Sequence, residues 1–482
     1  MSKFNTPTPT APKTTNLAGG EAFVMSDKLK LVSILLTSFV ADKFYKSANT
    51  EMKDLRDLIA SIKDKKFVAQ ASIFARDKFN MRSISHVTAA EIAKFAAGND
   101  WAKAYYDKIV VRPDDMTEIL SYYFANCSTN GNVANSIKKG FAKAFDKFDE
   151  YQLAKYRMEG KAVSLVDVVN LVHPVPVEKN ALALSKLIKG ELKSADTWES
   201  KLSAAGQEAG SAEEKADLKK DAWIDLVKNK KIGYMALMRN LRNILTQAPE
   251  IVAETCQTLT NEKLVKSSRI LPFRFLTAIE EVNKIGGPAS RDVVNALNRA
   301  IEISLVNVPR YDGSTLVVFD RSGSMNGKPT QIGSLFAAAL AKTNNADVVT
   351  FGSAAQYMNN LNYGDSVFTL AAKLAEPRMG GTNYHSIFAL LTKKYDRIII
   401  LSDGEAWMGW KNAKTSYDTY VNRIGGPAPK IYNFDLQGTG TLQFPENKVY
   451  FLSGFSDQVF EIMGLLEQDR QALVHAIEAV EI

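Results

Sequence analysis

Near Pro309 the chain changes its hydrophobic period, and nothing else in the sequence restricts its folding as much. From about Glu21 to Ser304 apolar residues recur at three- and four-residue spacing, as in Leu29–Phe44, Phe67–Phe79, Val133–Phe148, Leu165–Leu171 and Tyr234–Thr246. Such spacing predicts amphipathic helices, and no strand-like run interrupts them. Short turn signals separate the helices, among them Gly98-Asn99-Asp100 and Arg112-Pro113-Asp114-Asp115. Many helices in sequence without a strict repeat fit an irregular α-solenoid better than a four-helix bundle. Beyond Pro309 the runs Ser314–Asp320, Ala346–Phe351, Asp396–Leu401, Lys430–Asp435 and Lys448–Leu452 are short and β-branched or apolar, with helical stretches between several of them. This alternation predicts a mostly parallel sheet covered on both faces.

The division falls at residues 305–310, giving a helical domain over 21–305 and an α/β domain over 306–482. With 482 residues in all, two or three domains are expected and two suffice. Residues 1–20 are rich in Thr, Pro, Ala and Lys and predict a disordered tail. The Lys-, Glu-, Ala- and Gly-rich segment 193–220 predicts a mobile charged insertion. The net charge of +7 is unevenly placed. Residues 306–482 hold 15 basic and 17 acidic side chains, which leaves +9 on the rest. That asymmetry points to the helical part for contact with a polyanion.

Two cysteines, Cys127 and Cys256, make neither a disulfide framework nor a thiolate zinc site. No apolar run approaches the length of a membrane span, and no basic flank precedes an apolar core at the N-terminus. A reducing, cytoplasmic setting is the expectation.

The first strand of the α/β part ends in Asp320-Arg321-Ser322-Gly323-Ser324. One carboxylate and two hydroxyls on a tight turn after a strand direct hard oxygen ligands at one point, as Mg²⁺ requires. Met379-Gly380-Gly381-Thr382-Asn383 offers another hydroxyl before a helix, and Ser402-Asp403-Gly404-Glu405 a second carboxylate after a strand. In open α/β sheets, ligands collect beyond the carboxyl ends of strands. This ensemble resembles the metal-ion-dependent adhesion site of von Willebrand factor A domains. The resemblance implies Asp320, Ser322, Ser324, Thr382 and Asp403 as ligands of a divalent cation, most plausibly Mg²⁺, with one position left for a partner's carboxylate. An enzyme reading fails: Ser322 lacks a Gly-x-Ser-x-Gly setting and a paired base, and two carboxylates are few for a metal-dependent nuclease. His385 reads as a helix-surface residue.

In the helical part, Phe74–His86, Asn135–Tyr156, Val166–Pro174, Tyr234–Leu245 and Leu271–Glu280, together with the following α/β domain, resemble the Ro ribonucleoprotein (TROVE-domain) family over about residues 21–482. The resemblance implies a multidomain α and α/β fold: a ring of HEAT-like helical repeats followed by a Rossmann-like von Willebrand factor A domain. It implies a non-catalytic protein, monomeric within a ribonucleoprotein, that binds small structured non-coding RNA (Y RNA-like) on a basic surface. It also implies that single-stranded 3′ ends of misfolded RNA enter the hole, in RNA quality control or as an adaptor to an exoribonuclease. Independently of family, Lys138, Lys139, Lys143 and Lys147 form a basic stripe opposite Ile137, Phe141, Ala144 and Phe145. By the resemblance, Lys155, Tyr156 and His173 align with the family's RNA contacts. Arg157 is a candidate one residue out of register, and Arg82 and His86 sit on a segment of family character, where His86 reads equally as a core histidine. The candidate RNA-binding residues are therefore Lys139, Lys143, Lys155, Arg157, His173, Arg82 and His86. The competing reading is a protein–protein adaptor whose metal site captures a partner carboxylate.

Overall fold

The computed structural model describes residues 11–482 except 129, 196, 208–209, 269, 271–272, 305–307, 377–378, 455 and 457. The chain forms two compact units, one of Met1–Ile62 with Asn307–Ala476 and the other of Lys63–Val306 with Ile477–Ile482. The change of unit near residue 306 coincides with the change of hydrophobic period. The start of the helical unit does not follow the expectation, because residues up to Ile62 belong with the sheet.

Among the described residues the sheet unit is built on nine strands. These are β1 (Lys13–Thr15), β2 (Glu21–Val24), β3 (Thr315–Asp320), β4 (Asp347–Phe351), β5 (Ala355–Tyr357), β6 (Arg397–Ser402), β7 (Lys430–Asp435), β8 (Thr441–Leu442) and β9 (Tyr450–Ser453). Six of them make the main sheet in the order β5-β4-β3-β6-β7-β9, all neighbours parallel except β5 against β4. Every residue of β3 and β6 is buried. Successive strand side chains point to opposite faces, so both faces must be covered, which is why these strands read as unbroken apolar runs. The five predicted strands are present, each with its ends within about two residues of the expectation.

A second, three-stranded sheet has the order β1-β2-β8 and is antiparallel. It overturns two expectations. Residues 11–20 are not a tail, and a strand does occur at the start of the region expected to be wholly helical; residues 1–10 lie outside those described. The segment is held by side chains distant in sequence. Asn16 Nδ2 donates to Ala406 O at 2.7 Å, and Ala18 N donates to Glu405 Oε2 at 3.0 Å. Gly20 lies so close to Ala406 that an added Cβ would sit 1.9 Å from its carbonyl oxygen, so only glycine fits.

Helix Asp27–Thr37 ends at Ser38, short of the predicted Phe44. Val40 then adopts a left-handed φ of 54°, which a β-branched residue does not adopt inside a helix. Residues 38–47 consequently run as an irregular segment. Lys43 fixes it by reaching the Glu51 carboxylate and, at 2.6 Å, Gln437 O.

The helical unit buries its apolar stripes helix against helix, among them Phe67, Tyr105, Tyr106, Phe141 and Phe145. The predicted helix Tyr234–Thr246 is broken at Asn240 into Tyr234–Arg239 and Leu241–Gln247. Asn240 is buried and satisfies its amide on Ala236 O, four residues back, at 2.9 Å. The charged segment expected to be a mobile insertion contains helices Trp198–Gln207 and Ala212–Lys228. Trp198 stacks on Trp223, whose indole N–H donates to Gln247 Oε1 at 2.9 Å. Counted along these units, the net charges are +5 for the helical unit and +2 for the sheet unit. The asymmetry expected from the sequence shrinks because eight of the basic residues lie in the first 62 positions.

Candidate metal centre and candidate nucleic-acid interface

Asp320 ends β3 at the carboxyl edge of the sheet, fully buried. Its Oδ1 accepts the Ser322 N–H at 2.8 Å and its Oδ2 the Ser402 hydroxyl at 2.5 Å. The turn that follows brings the Ser322 and Ser324 hydroxyls within 3.3 Å of each other. Gly323 N donates to Gly380 O at 2.9 Å and Met379 N to Arg321 O at 3.1 Å, which fastens the glycine turn to the Asp-x-Ser-x-Ser turn. The loop after β6 fixes the third part: Trp407 N and Met408 N both donate to Thr382 O, at 3.2 and 3.1 Å. Asp403, 1% exposed, accepts Glu405 N and, at 3.2 Å, Gln437 Nε2, which also donates to Ser324 O. The three sequence elements thus converge within the sheet unit.

The electrostatics of this pocket would suit a cation. Burial raises the pKa of both carboxyls above the ordinary range, and the neighbouring Asp320 raises Asp403 further. Thr382 Oγ1 is buried with no hydrogen-bond partner among the described residues. Two buried like charges and an idle hydroxyl oxygen suit a small oxygen-seeking dication. Among the described residues no group of three His, Cys, Asp or Glu gathers in metal-ligating geometry. A cation here would therefore rest on two carboxylates, three hydroxyls and water, which fits Mg²⁺ better than Zn²⁺.

One participant escaped sequence reasoning. Tyr45, on the irregular segment 38–47, stands beside the Ser324 side chain and within the field of Asp403, Glu405 and Asp320; burial, above all, and those carboxylates raise its pKa. The only available signal was the aromatic cluster Phe39, Phe44 and Tyr45, which the expected helix concealed. His385 points away from this pocket, with Nδ1 3.0 Å from Ser416 Oγ and its ring edge-on to Trp410.

The candidate RNA-binding residues divide into two groups. Arg82 and His86 converge on Asp115, which is completely buried. Asp115 accepts Arg76 Nη2 at 2.9 Å, Arg82 Nε at 3.1 Å, and the N–H groups of Val111 and Arg112 at 2.9 Å; His86 Nε2 lies 2.8 Å away. Burial opposes the charge on Asp115, yet the His86 bond and the guanidinium charges hold its pKa far below the usual carboxylate range. His86 is pushed below its ordinary value by burial. Its core reading is the one the packing favours, with a carboxylate as partner. Arg157 is similarly engaged, on Leu192 O, Ser194 Oγ (2.7 Å) and Glu159 (3.0 Å).

Lys139, Lys143, Lys155 and His173 are exposed. Lys143 pairs with Asp146 at 2.8 Å on the surface. Lys155 Nζ lies 5.7 and 5.6 Å from the ring centres of Tyr151 and Tyr156, and the Arg112 guanidinium is 5.2 Å from the Tyr156 ring. Tyr151 is half exposed. His173 closes helix Leu165–Val172 in a left-handed conformation, φ 48° and ψ 64°. That helix packs on Pro113–Asn126 and on Asn135–Ala144, so the candidates sit on neighbouring helices. Arg112 was missed; its place in an apparent turn signal hid its role beside Tyr156.

Comparison with known proteins gives a consistent result. The model of the TROVE domain matches residues 32–219 and 189–312. The RNA-binding protein RO60 of Deinococcus radiodurans is 24% identical over 88% of this chain and 89% of its own length. Telomerase protein component 1 of Mus musculus is 25% identical over 54% of this chain, and that of Rattus norvegicus is 21% identical over 55%. The match spans only 13% of the length of each telomerase component. Among solved structures, that of the Deinococcus radiodurans RO (RSR) protein aligns with a TM-score of 0.58 at 18% identity, covering 91% of this chain and 99% of the other.

Proposed function

The chain belongs to the TROVE-domain family, and from that premise we propose that it is a non-catalytic RNA-binding protein that holds a small structured non-coding RNA. The observation that carries this reading is the exposed group on the helical unit in which Lys155 and Arg112 flank the rings of Tyr151 and Tyr156. Cations there meet phosphates without regard to sequence, and a half-exposed tyrosine ring offers a face to an unpaired base. Lys139, Lys143 and His173 extend the surface, while Arg82, His86 and Arg157 serve it by holding the helices that present it. Work in RNA quality control, uptake of misfolded 3′ ends and adaptation to an exoribonuclease, in a cytoplasmic setting, belong to the same proposal. Among the described residues no helix is long and apolar enough to cross a membrane.

In this reading Asp320, Ser322, Ser324, Thr382 and Asp403 hold Mg²⁺, which neutralises the paired carboxylates and stiffens the loops at the sheet edge. A second reading, capture of a partner's carboxylate at that cation, draws support from Trp407 and Trp410, which are 53% and 77% exposed on the loop that fixes Thr382.

Filter binding of a stem-containing RNA across a salt series decides between them. The RNA reading expects tight binding with a steep negative salt dependence, weakened by Lys155→Ala with His173→Ala while circular dichroism stays unchanged. Affinity at non-specific levels would sink it.

A further inference from the structure

The loop that carries Asp403 is held from outside at four consecutive positions. The Thr439 hydroxyl donates to Asp403 O at 2.9 Å, and Gln443 Nε2 donates to Gly404 O at 2.6 Å. Ala18 N donates to the buried Glu405 carboxylate at 3.0 Å, and Asn16 Nδ2 donates to Ala406 O at 2.7 Å. The next two amides, of Trp407 and Met408, hold Thr382 O. Thr439 and Gln443 flank β8, and β2 pairs with β8 through Phe23 opposite Leu442 and Val24 opposite Thr441. The hairpin of β1 and β2 therefore grips the loop twice, once directly and once through β8.

The turn between β1 and β2 is shaped for this grip. Asn16 is buried and uses both ends of its amide: Oδ1 accepts Gly20 N at 2.7 Å while Nδ2 reaches the loop. Asn16 N donates to Gly20 O at 2.9 Å and Gly19 N to Asn16 O at 3.1 Å, which closes the turn. Moving the loop away would leave a buried amide donor and a buried carbonyl without partners, so the contact strongly favours one geometry. The stretch held in this way runs from one candidate ligand to the support of another. Asp403 begins it, and Trp407 and Met408 at its far end fix Thr382. A displacement of the loop would move both ligands together, and groups that orient ligands govern metal affinity almost as strongly as the ligands do.

We propose that residues 13–24 form a strap that sets the cation affinity of the metal centre, with Asn16, the Ala18 amide and Gly20 as its positioning groups. The proposal rests on the reading of Asp320, Ser322, Ser324, Thr382 and Asp403 as Mg²⁺ ligands. Seating of the strap and binding of the cation favour each other, because coupling between two sites is reciprocal. The cation tightens the strap, and lifting the strap releases the cation.

The test uses the full chain, calorimetric titration with Mn²⁺, and hydrogen exchange of residues 13–24. Asn16→Ala and, separately, Gly20→Ala should weaken Mn²⁺ at least about tenfold. Leu17→Ser, at a side chain exposed on the same turn, should bind Mn²⁺ as the wild type does. All three should match the wild type by circular dichroism in EDTA. In the wild type, saturating Mn²⁺ should slow exchange of the strap amides about tenfold in turn, and in Asp403→Asn it should not. Exchange in the wild type needs no strap variant, so a substitution that fails to fold leaves the test intact. Equal Mn²⁺ affinity in folded strap variants, strap exchange indifferent to Mn²⁺, or protection that persists in Asp403→Asn would overturn the strap. Mn²⁺ bound by the wild type in those cases leaves the metal reading standing. A wild type that binds no Mn²⁺ removes the metal reading itself, and the strap with it.

Discussion

The phenol of Tyr45 stands beside Ser324, setting the irregular segment after the first helix against the turn that carries two candidate metal ligands. A hydroxyl set against a ligand oxygen orients it and sets its basicity, so Tyr45 would act on a cation there through Ser324. Tyr45→Phe should weaken Mn²⁺ or Mg²⁺ affinity about tenfold. Calorimetric titration of the metal measures it, and equal affinity would reduce Tyr45 to a packing residue.

Asp403→Asn makes a prediction with two signs. Without a divalent cation the substitution removes one of two buried like charges, so the melting temperature should rise. With Mg²⁺ the wild type should gain about 2.7 kcal/mol at a hundredfold excess over the dissociation constant, and the variant should gain nothing. Differential scanning calorimetry with EDTA and then Mg²⁺ reads both signs. A variant that still responds to Mg²⁺ places the cation elsewhere.

The Asp115 hub gives a pH dependence in two steps. His86 has a folded pKa depressed by burial, so the unfolded state binds its proton more readily. Stability should be full above the unfolded histidine value of about 6.5 and should decline as pH falls through it. Asp115 has a strongly depressed folded pKa and should add a second loss below about pH 4. His86→Gln should flatten the first step and leave the second, as followed by urea unfolding between pH 7 and 3.

Lys155 and Arg157 are neighbours with opposite expected phenotypes. Arg157→Ala removes the donors to Leu192 O and Ser194 Oγ and should cost about 1–3 kcal/mol of stability. Lys155→Ala removes an exposed cation and should leave stability within about 0.5 kcal/mol while lowering RNA affinity. Thermal unfolding beside filter binding separates them, and equal stability of the two variants would contradict a structural role for the Arg157 hydrogen bonds.

Much of the architecture and the convergence of the candidate metal ligands follow from local signals. Strands such as Arg397–Ser402 are legible because both faces are buried and the run is all apolar, and Asp320 is legible because its turn keeps ligand spacing along the chain. Other features depend on partners no local pattern carries. Asn16 is anchored on Ala406, 390 positions away. Asn240 breaks a helix whose apolar spacing never falters. Arg82 looks like a surface polar residue, and His86 stays undecided between surface and core, until Asp114 and Asp115 are folded against them. Long-range polar anchoring is what periodicity cannot encode.

The pairing of β2 with β8 and the placement of Met1–Ile62 with Asn307–Ala476 have a consequence for biogenesis. Apart from Ile477–Ile482, the helical unit is an insertion within the other unit. On a ribosome the first 62 residues emerge early, yet the strands they need are made only after Lys63–Val306. Until then the segment holding Leu31 and Leu35 has nowhere to bury them, and it must wait with that apolar surface exposed. A fragment begun at residue 307 would meet the converse problem, with Leu442 stripped of Phe23 and the candidate metal pocket of its neighbour Tyr45.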